Sequence, residues 1–272
     1  MTRQLHPYNN LMNGTPHSYY WGGWLMTDCT CHHSNYEVAL DLQALDKNQV
    51  YIFHSAMGWN TAISERSRHL KKKDGSYRLN TAGEPKVYLS FVTRKSNKVD
   101  YVRLMAFYGI SMHTAKTYQT PDVAFLRRLT FDEFLCFITG YIDGDGWIAW
   151  STEENPSNGY KLRIKQHLLW AKYLEVIDEI ICKEMKLART EVIVDDKEAS
   201  LIYSADKAKR VLRLIKRNAL KYKLPVLARK WDKVAKYCSS TKTRTAKTKA
   251  RRQLERNNTL TATPTPATQD TL

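Results

Sequence analysis

The chain has 272 residues, 43% of them hydrophobic, and a formal net charge of +16 at pH 7. This apolar content excludes a disordered chain, and the length provides for one large domain or two small ones. The 43 Lys and Arg against 27 Asp and Glu are spread along the chain, which points to a polyanionic partner, nucleic acid ahead of a membrane.

Thr15-Pro16 opens the first predicted helix, with threonine at the N-cap and proline in the first turn, and the helix runs to about Thr27. After Asp28, Val38, Leu40 and Leu42 alternate with polar neighbours, which predicts a strand buried on one face. A helix follows from Asp46 to Met57 and stops at Gly58. Thr61–Leu70 alternates again with Ser64, Arg66 and Arg68 on one side, Lys71–Gly75 supplies a turn, and Val87–Arg94 is the next strand. A helix from about Asn97 to Tyr108 ends at Gly109, and Lys116–Pro121 reads as an extended linker.

The same order then returns. Thr130-Phe-Asp-Glu133 is a capping box that starts a helix reaching Asp145. Tyr160, Leu162 and Ile164 alternate with Lys161, Arg163 and Lys165, giving a strand that can sit on a core and face phosphates at once. A helix over Leu168–Met185 carries Leu169, Tyr173, Val176, Ile177, Ile180 and Ile181 at helical spacing, read as core. Glu191–Val194 and Ala199–Ser204 form a hairpin around Asp195–Glu198. Ala205–Leu220 turns Ala208, Val211, Leu212 and Ile215 inward, and an amphipathic helix from Pro225 to about Tyr237 closes the order. From Ser239 onward a Thr-rich tail holds seven basic residues against two acids, so +11 of the +16 belongs to the rest of the chain. The tail reads as disordered and adds salt-sensitive affinity at most.

One phrase is written twice, as Trp21-Gly-Gly-Trp-Leu-Met-Thr-Asp28-Cys29 and as Ile138-Thr-Gly-Tyr-Ile-Asp-Gly-Asp145-Gly146. Each copy is an apolar helix ending in an acid. Gly23 and Gly140 stand five residues before those acids, and Thr27 and Gly144 one before. Each pair is four apart and shares a helix face. Glycine inside a helix costs about 0.5–1 kcal/mol relative to alanine, and close packing of the two helices through Gly23, Thr27, Gly140 and Gly144 is a reason to keep it. Both chains then leave the helices at one end and bring Asp28 and Asp145 together. Two carboxylates at the negative ends of helix dipoles repel each other, so the arrangement calls for cations. Hard divalent ions with oxygen ligands, such as Mg2+, meet that need.

A buried helix followed by a turn accounts for one copy but not for two. A calcium loop through Asp143 and Asp145 is disfavoured, because Trp147 stands where a third oxygen ligand belongs. Cys29, Cys31, His32 and His33 are too close together to bind one tetrahedral ion, and no second pair with suitable spacing follows. The five cysteines fit free thiols in a reducing compartment. No run approaches the length of a membrane span and Met1–Asn10 lacks an apolar stretch, so a soluble, intracellular protein is expected.

The two phrases and the duplicated order resemble the two-motif, monomeric LAGLIDADG homing endonucleases, over about residues 15–237. The second motif, Gly140-Tyr-Ile-Asp-Gly-Asp145-Gly146, is close to the family pattern; in the first, Met26 stands where an acid often does and Cys29 replaces the last glycine. The resemblance implies an α+β fold of two pseudo-symmetric αββαββα subdomains packed through two central helices, with antiparallel sheets forming a DNA-binding saddle. The first subdomain and its linker would occupy 1–120, the second 121–238 and the tail 239–272. It further implies a monomer that cleaves a long target site in double-stranded DNA across the minor groove, leaving short 3′ overhangs. Asp28 and Asp145 would be catalytic and bind Mg2+ or Mn2+, with help from backbone carbonyls at the helix ends. A basic residue after the third helix of each half would lie near the scissile phosphate: Lys223 in the second half, and Lys116 in the first, with His113 as its rival. Arg66, Arg68, Lys161, Arg163 and Lys165 are the candidate DNA contacts on the sheet faces, for bases or for phosphates. The compartments implied are a bacterial or phage-infected cytoplasm or an organelle.

Two other readings remain: an intron RNA maturase, and a DNA-binding regulator without cleavage. A pure binding module gains nothing from two repelling carboxylates, whereas maturase activity can coexist with cleavage. An intein is not expected, since Met1 and Thr271-Leu272 are not splicing residues.

Overall fold

The computed structural model describes residues 6–72, 74–149 and 160–239. It divides into two units, Met1–Trp231 and Asp232–Leu272. The expected first half and the second as far as Trp231 lie in the first unit; of the second unit only the helical run to Ser239 is described, and the basic tail beyond it lies outside the described residues.

Helix α1 (Pro16–Met26) starts where the Thr15 hydroxyl accepts from the Ser18 amide at 3.2 Å. Its counterpart α5 (Phe131–Asp145) starts at the reciprocal Thr130–Glu133 capping box. Tyr20, Trp21, Trp24, Leu25 and Met26 are all buried, so α1 is covered on every side, as befits a helix at the centre of a molecule. It packs against α5, and the glycines explain how closely. A Cβ on Gly23 would meet Phe137 O and Tyr141 N, one on Gly140 would meet Tyr20 O, and one on Gly144 would meet the Thr27 hydroxyl. All four residues read from the sequence as the helix interface therefore lie in it.

A strand follows each helix, directly after α5 and after Thr27 and Asp28 in the case of α1. β1 (Cys29–His32) and β5 (Gly146–Ala149) had no separate signal in the sequence, being only four residues long. In the first half β2 (Glu37–Gln43), α2 (Lys47–Met57), β3 (Ser64–His69), β4 (Val87–Ser96) and α3 (Lys98–Tyr108) follow. After a short α4 (Ala124–Arg128) and α5, the second half continues with β6 (Lys161–His167), α6 (Ala171–Met185), β7 (Ile193–Val194), β8 (Glu198–Ser204), α7 (Ala205–Lys221) and α8 (Ala228–Ser239). The strands form two four-stranded antiparallel sheets, ordered β1-β2-β4-β3 and β5-β6-β8-β7.

Register separates the two faces of each sheet, because residues directly opposite share a face. Val38, Leu40 and Leu42 lie opposite Lys95, Thr93 and Phe91, and Thr93 bonds His54 of α2, which marks this as the helix-covered face. Arg66 and Arg68 lie opposite Ser90 and Tyr88, on the other face. In the second sheet Leu162 and Ile164 are buried while Lys161, Arg163 and Lys165 take the open face. All five candidate DNA contacts are thus on the open faces.

Several boundaries differ from expectation. Ala44–Asp46 and Leu168–Trp170 are 3-10 turns, so α2 and α6 start later than read, and Leu169, assigned to the core, is 39% exposed while Trp170 is buried in its place. Lys116–Tyr118, read as extended, is a 3-10 turn with Lys116 buried. The strand read from Glu191 is only Ile193–Val194.

Candidate active site

The ends of α1 and α5 bring Asp28 and Asp145 into electrostatic contact. Burial, and next the charge of Asp145, push the Asp28 carboxyl up to about 6. Asp145 is exposed at the surface, yet desolvation by the protein around it raises its carboxyl too, opposed by a hydrogen bond from Gln166 and by the charges of Lys116 and Lys230. Both lysines also act on Asp28. Desolvation thus outweighs the two ammonium groups beside the pair.

The two lysines make matching contacts. Lys116 Nζ donates to the carbonyls of Leu25, Thr27 and Cys29, each at 2.7 Å. Lys230 Nζ donates to Ile142, Asp143, Gly144 and Gly146 at 2.6–2.9 Å. Ile142, Gly144 and Gly146 stand to Asp145 as Leu25, Thr27 and Cys29 stand to Asp28. Each ammonium thus gathers the carbonyls at the end of its helix and that of the first strand residue after it, and sets a cation at the negative end of the dipole. Burial lowers the pKa of Lys230.

The basic residue expected at the second site was Lys223, and here the structure places a different one. Lys223 is exposed in the turn after α7, with a left-handed backbone at φ 51°, while Lys230 occupies the position that Lys116 occupies in the first half. The rival to Lys116, His113, is exposed. The sequence signal of Lys230 is its place on the same stripe as Leu227 and Trp231, a lysine among apolar residues at helical spacing.

Asp143 holds that stripe in place. Its buried carboxylate accepts from Tyr20 OH (2.9 Å), Trp231 Nε1 (2.6 Å) and the Leu227 amide (3.1 Å). Gln49 Nε2 donates to Tyr20 OH at 2.6 Å and to the Pro225 carbonyl at 2.7 Å, and Arg229 grips Asp46 with two bonds of 2.6 and 2.7 Å. The segment 225–231 is thereby tied to both halves. In the first motif the residue matching Asp143 is Met26, which is buried.

The halves differ again beside the acids. Gln166 Nε2 donates to Asp145 Oδ2 at 2.6 Å. Gln166 falls on the inward parity of β6 with Leu162 and Ile164, and that break in an apolar series is its sequence signal. Since Cys29 pairs with Leu40 and Gly146 with Ile164, the residue matching Gln166 is Leu42. Cys29 and Cys31 are buried, and burial raises both thiols. His33 is engaged by Tyr101 OH and the Thr114 carbonyl, so this cluster is packing.

A cavity of about 650 Å³ opens beside Asp145, lined by Thr27, Lys116, Trp147, Arg163, Lys165 and Gln166 among others. Trp147 is 47% exposed with the Arg163 guanidinium 5.1 Å from its ring. Arg66 lies 3.7 Å from Asp41, and Lys165 pairs with Glu198. Among the described residues no group of three or more His, Cys, Asp or Glu is placed to hold a metal ion. Two hard carboxylates at one end of the paired helices still fit Mg2+, which is bound through one or two carboxylates, with waters and phosphates filling the other positions. Backbone carbonyls at the helix ends were expected to help; those of Thr27 and Gly144 are engaged by Lys116 and Lys230. No helix among the described residues is long and apolar enough to cross a membrane.

No family model and no curated protein sequence matches the chain. Among solved structures it is similar to the homing endonuclease I-WcaI bound to its DNA recognition sequence, with a TM-score of 0.52 and 12% identity over 82% of this chain and 90% of that one. It is also similar to the LAGLIDADG meganuclease I-CpaMI bound to uncleaved DNA, with a TM-score of 0.48 and 12% identity over 86% and 92%. With central helices packed through glycines and two antiparallel sheets in matching order, the chain has the two-motif LAGLIDADG fold.

Proposed function

We propose that this protein is a site-specific endonuclease that hydrolyses double-stranded DNA with divalent metal ions. It acts as a monomer, across the minor groove, and leaves short 3′ overhangs. The observation that carries the reading is that the glycine-packed crossing of α1 and α5 brings two carboxylates, Asp28 and Asp145, to the same end of the paired helices, where desolvation and then the Asp145 charge raise Asp28. A protein that only bound nucleic acid would be more stable without that pair.

In this reading Asp28 and Asp145 each hold Mg2+ or Mn2+, one for each strand. A bound divalent ion supplies an activated water, neutralises the scissile phosphate and stabilises the departing oxygen. Lys116 and Lys230 fix the helix ends and add positive charge near the phosphates, and Gln166 orients the Asp145 carboxylate. Arg66, Arg68, Lys161, Arg163 and Lys165 meet the duplex from the open sheet faces. Each is placed for bases or phosphates.

The test is incubation with Mg2+ or Mn2+ and DNA carrying the uninterrupted sequence that flanks the gene or its intron. Cleavage by the parent chain is expected, with severe loss in Asp28→Asn and Asp145→Asn. Duplex binding without cleavage, across metals and salts, would sink the enzymatic reading.

A further inference from the structure

The segments that carry Lys116 and Lys230 are each pinned by both halves. Lys116 belongs to the connection from α3 to α4. Before it, the Thr114 carbonyl pairs with His33 Nε2 of the first half at 2.9 Å. After it, the chain docks on the second half: Tyr118 meets the His167 ring edge-on at 5.2 Å, and the Thr120 hydroxyl donates to the Leu169 carbonyl at 3.0 Å.

The segment carrying Lys230 runs in the reverse order. After Lys230, the Trp231 indole is held by Asp143 of its own half. Before it, Arg229 grips Asp46 of the first half, and the Pro225 carbonyl accepts from Gln49 of that half. Leu227, between them, returns to Asp143. Asp46 stands at the N-cap of α2, yet among the described residues its side chain caps no amide of that helix. Its buried carboxylate is committed instead to an arginine of the other half.

Such contacts can serve only to hold the halves together. The crossing of α1 and α5 already does that, and it does not require bonds placed beside each lysine. A lysine is among the costliest side chains to order, so an ammonium keeps its place on the carbonyls best when the backbone beneath it is pinned on both sides. We propose that Asp46, with Arg229, positions Lys230 for the cut at Asp145, and that His167, with Tyr118, positions Lys116 for the cut at Asp28, so that each half sets the basic residue of the other's site. This inference rests on the endonuclease reading above. Loosening a contact in one half then slows the strand cut by the other. The charge of Asp46 also adds to the rise of Asp28, an effect that would move the opposite strand, so strand bias separates the two roles.

The test uses the full chain, Mg2+ and strand-labelled target. Lys116→Met and Lys230→Met first define which strand depends on which helix end. Asp46→Asn should then slow the Lys230-dependent strand, and His167→Ala the Lys116-dependent strand, each about 10-fold, so that nicked duplex accumulates. Asp46→Asn strands no buried charge, because Arg229 is 48% exposed. His167 lies on the face of β6 opposite to Gln166, so its loss spares the bond to Asp145. Equal slowing of both strands, a bias that follows the half in which the replaced residue lies, or no slowing at all would overturn the proposal. A second readout needs no cleavage. In urea unfolding Asp46→Asn should be non-additive with Lys230→Met and additive with Lys116→Met, and His167→Ala the reverse. Additivity throughout would overturn the crossed positioning whatever the chain does to DNA. A parent chain that cuts no DNA while these pairs couple as expected would overturn the endonuclease reading and leave the crossed positioning of the lysines standing.

Discussion

Lys116 and Lys230 make the same contacts in opposite halves: each ammonium donates to the carbonyls three residues before, one before and one after the acid that ends its central helix. They come from segments unrelated in sequence, a 3-10 turn and the start of α8. The duplication is therefore stricter in three dimensions than along the chain.

Replacing either lysine should disturb one helix end. Lys230→Met leaves four carbonyls without a charged donor. At about 1.5–3 kcal/mol for a bond to a charged group, less what water recovers, a loss of about 2–4 kcal/mol is expected in urea unfolding. Lys116→Met should cost slightly less, and both should depress DNA cleavage under conditions where the protein stays folded. Lys223→Met, at an exposed turn, should change neither by more than about 0.5 kcal/mol or a few-fold in rate.

The acid pair makes stability and cleavage oppose each other. A carboxyl whose folded pKa lies above its unfolded value near 3.9 gives stability that is complete below that value and is lost as pH rises towards the folded pKa. With Asp28 raised to about 6, the metal-free protein should lose stability from this group between about pH 4 and 6. Asp28→Asn removes that dependence, so by pH 7 the variant should gain about 3 kcal/mol relative to its standing at pH 4, at about 1.36 kcal/mol for each pKa unit. Unfolding curves at several pH values measure this. Saturating Mg2+ with duplex should narrow the gap, because ligands that bind only the folded parent stabilise it.

The glycines at the helix crossing can be tested by their smallest change. On an open helix surface Gly→Ala is stabilising by about 1 kcal/mol. At Gly140 the added Cβ would meet the Tyr20 carbonyl, which has no rotamer to yield. Gly140→Ala should therefore destabilise by about 3 kcal/mol or more and lower cleavage of both strands together.

Gln166 and Leu42 should make the two strands unequal. Gln166→Leu withdraws the donor to Asp145 and, as with other groups that orient a metal ligand, should slow one strand about 10–100-fold, so that nicked duplex accumulates. Leu42→Gln offers Asp28 the same support. Strand-labelled substrate distinguishes the two. Equal slowing of both strands by Gln166→Leu would show that its effect is not confined to Asp145.

Local patterns in the sequence determined much of this. The repeated phrase located α1 and α5, since Thr15, Pro16 and the Thr130–Glu133 box are start signals that act within one turn of helix. The glycine spacing located the crossing, because only a close backbone approach rewards glycine there. Strict alternation in β6 separated a buried face from a basic one. Those signals are short-range, and each rests on residues within a few positions of one another. Tertiary structure alone decided which lysine closes the second helix end, because Lys230 reaches α5 only through Asp143, Trp231 and the Arg229–Asp46 pair, drawn from three distant parts of the chain. It alone set Gln166 against Asp145 and Leu42 at the matching register position of the first sheet, since strand register is fixed by pairing between segments and not within them. The acids themselves were legible; the charge around them was not, for burial and the field of distant lysines exist only once the chain has folded.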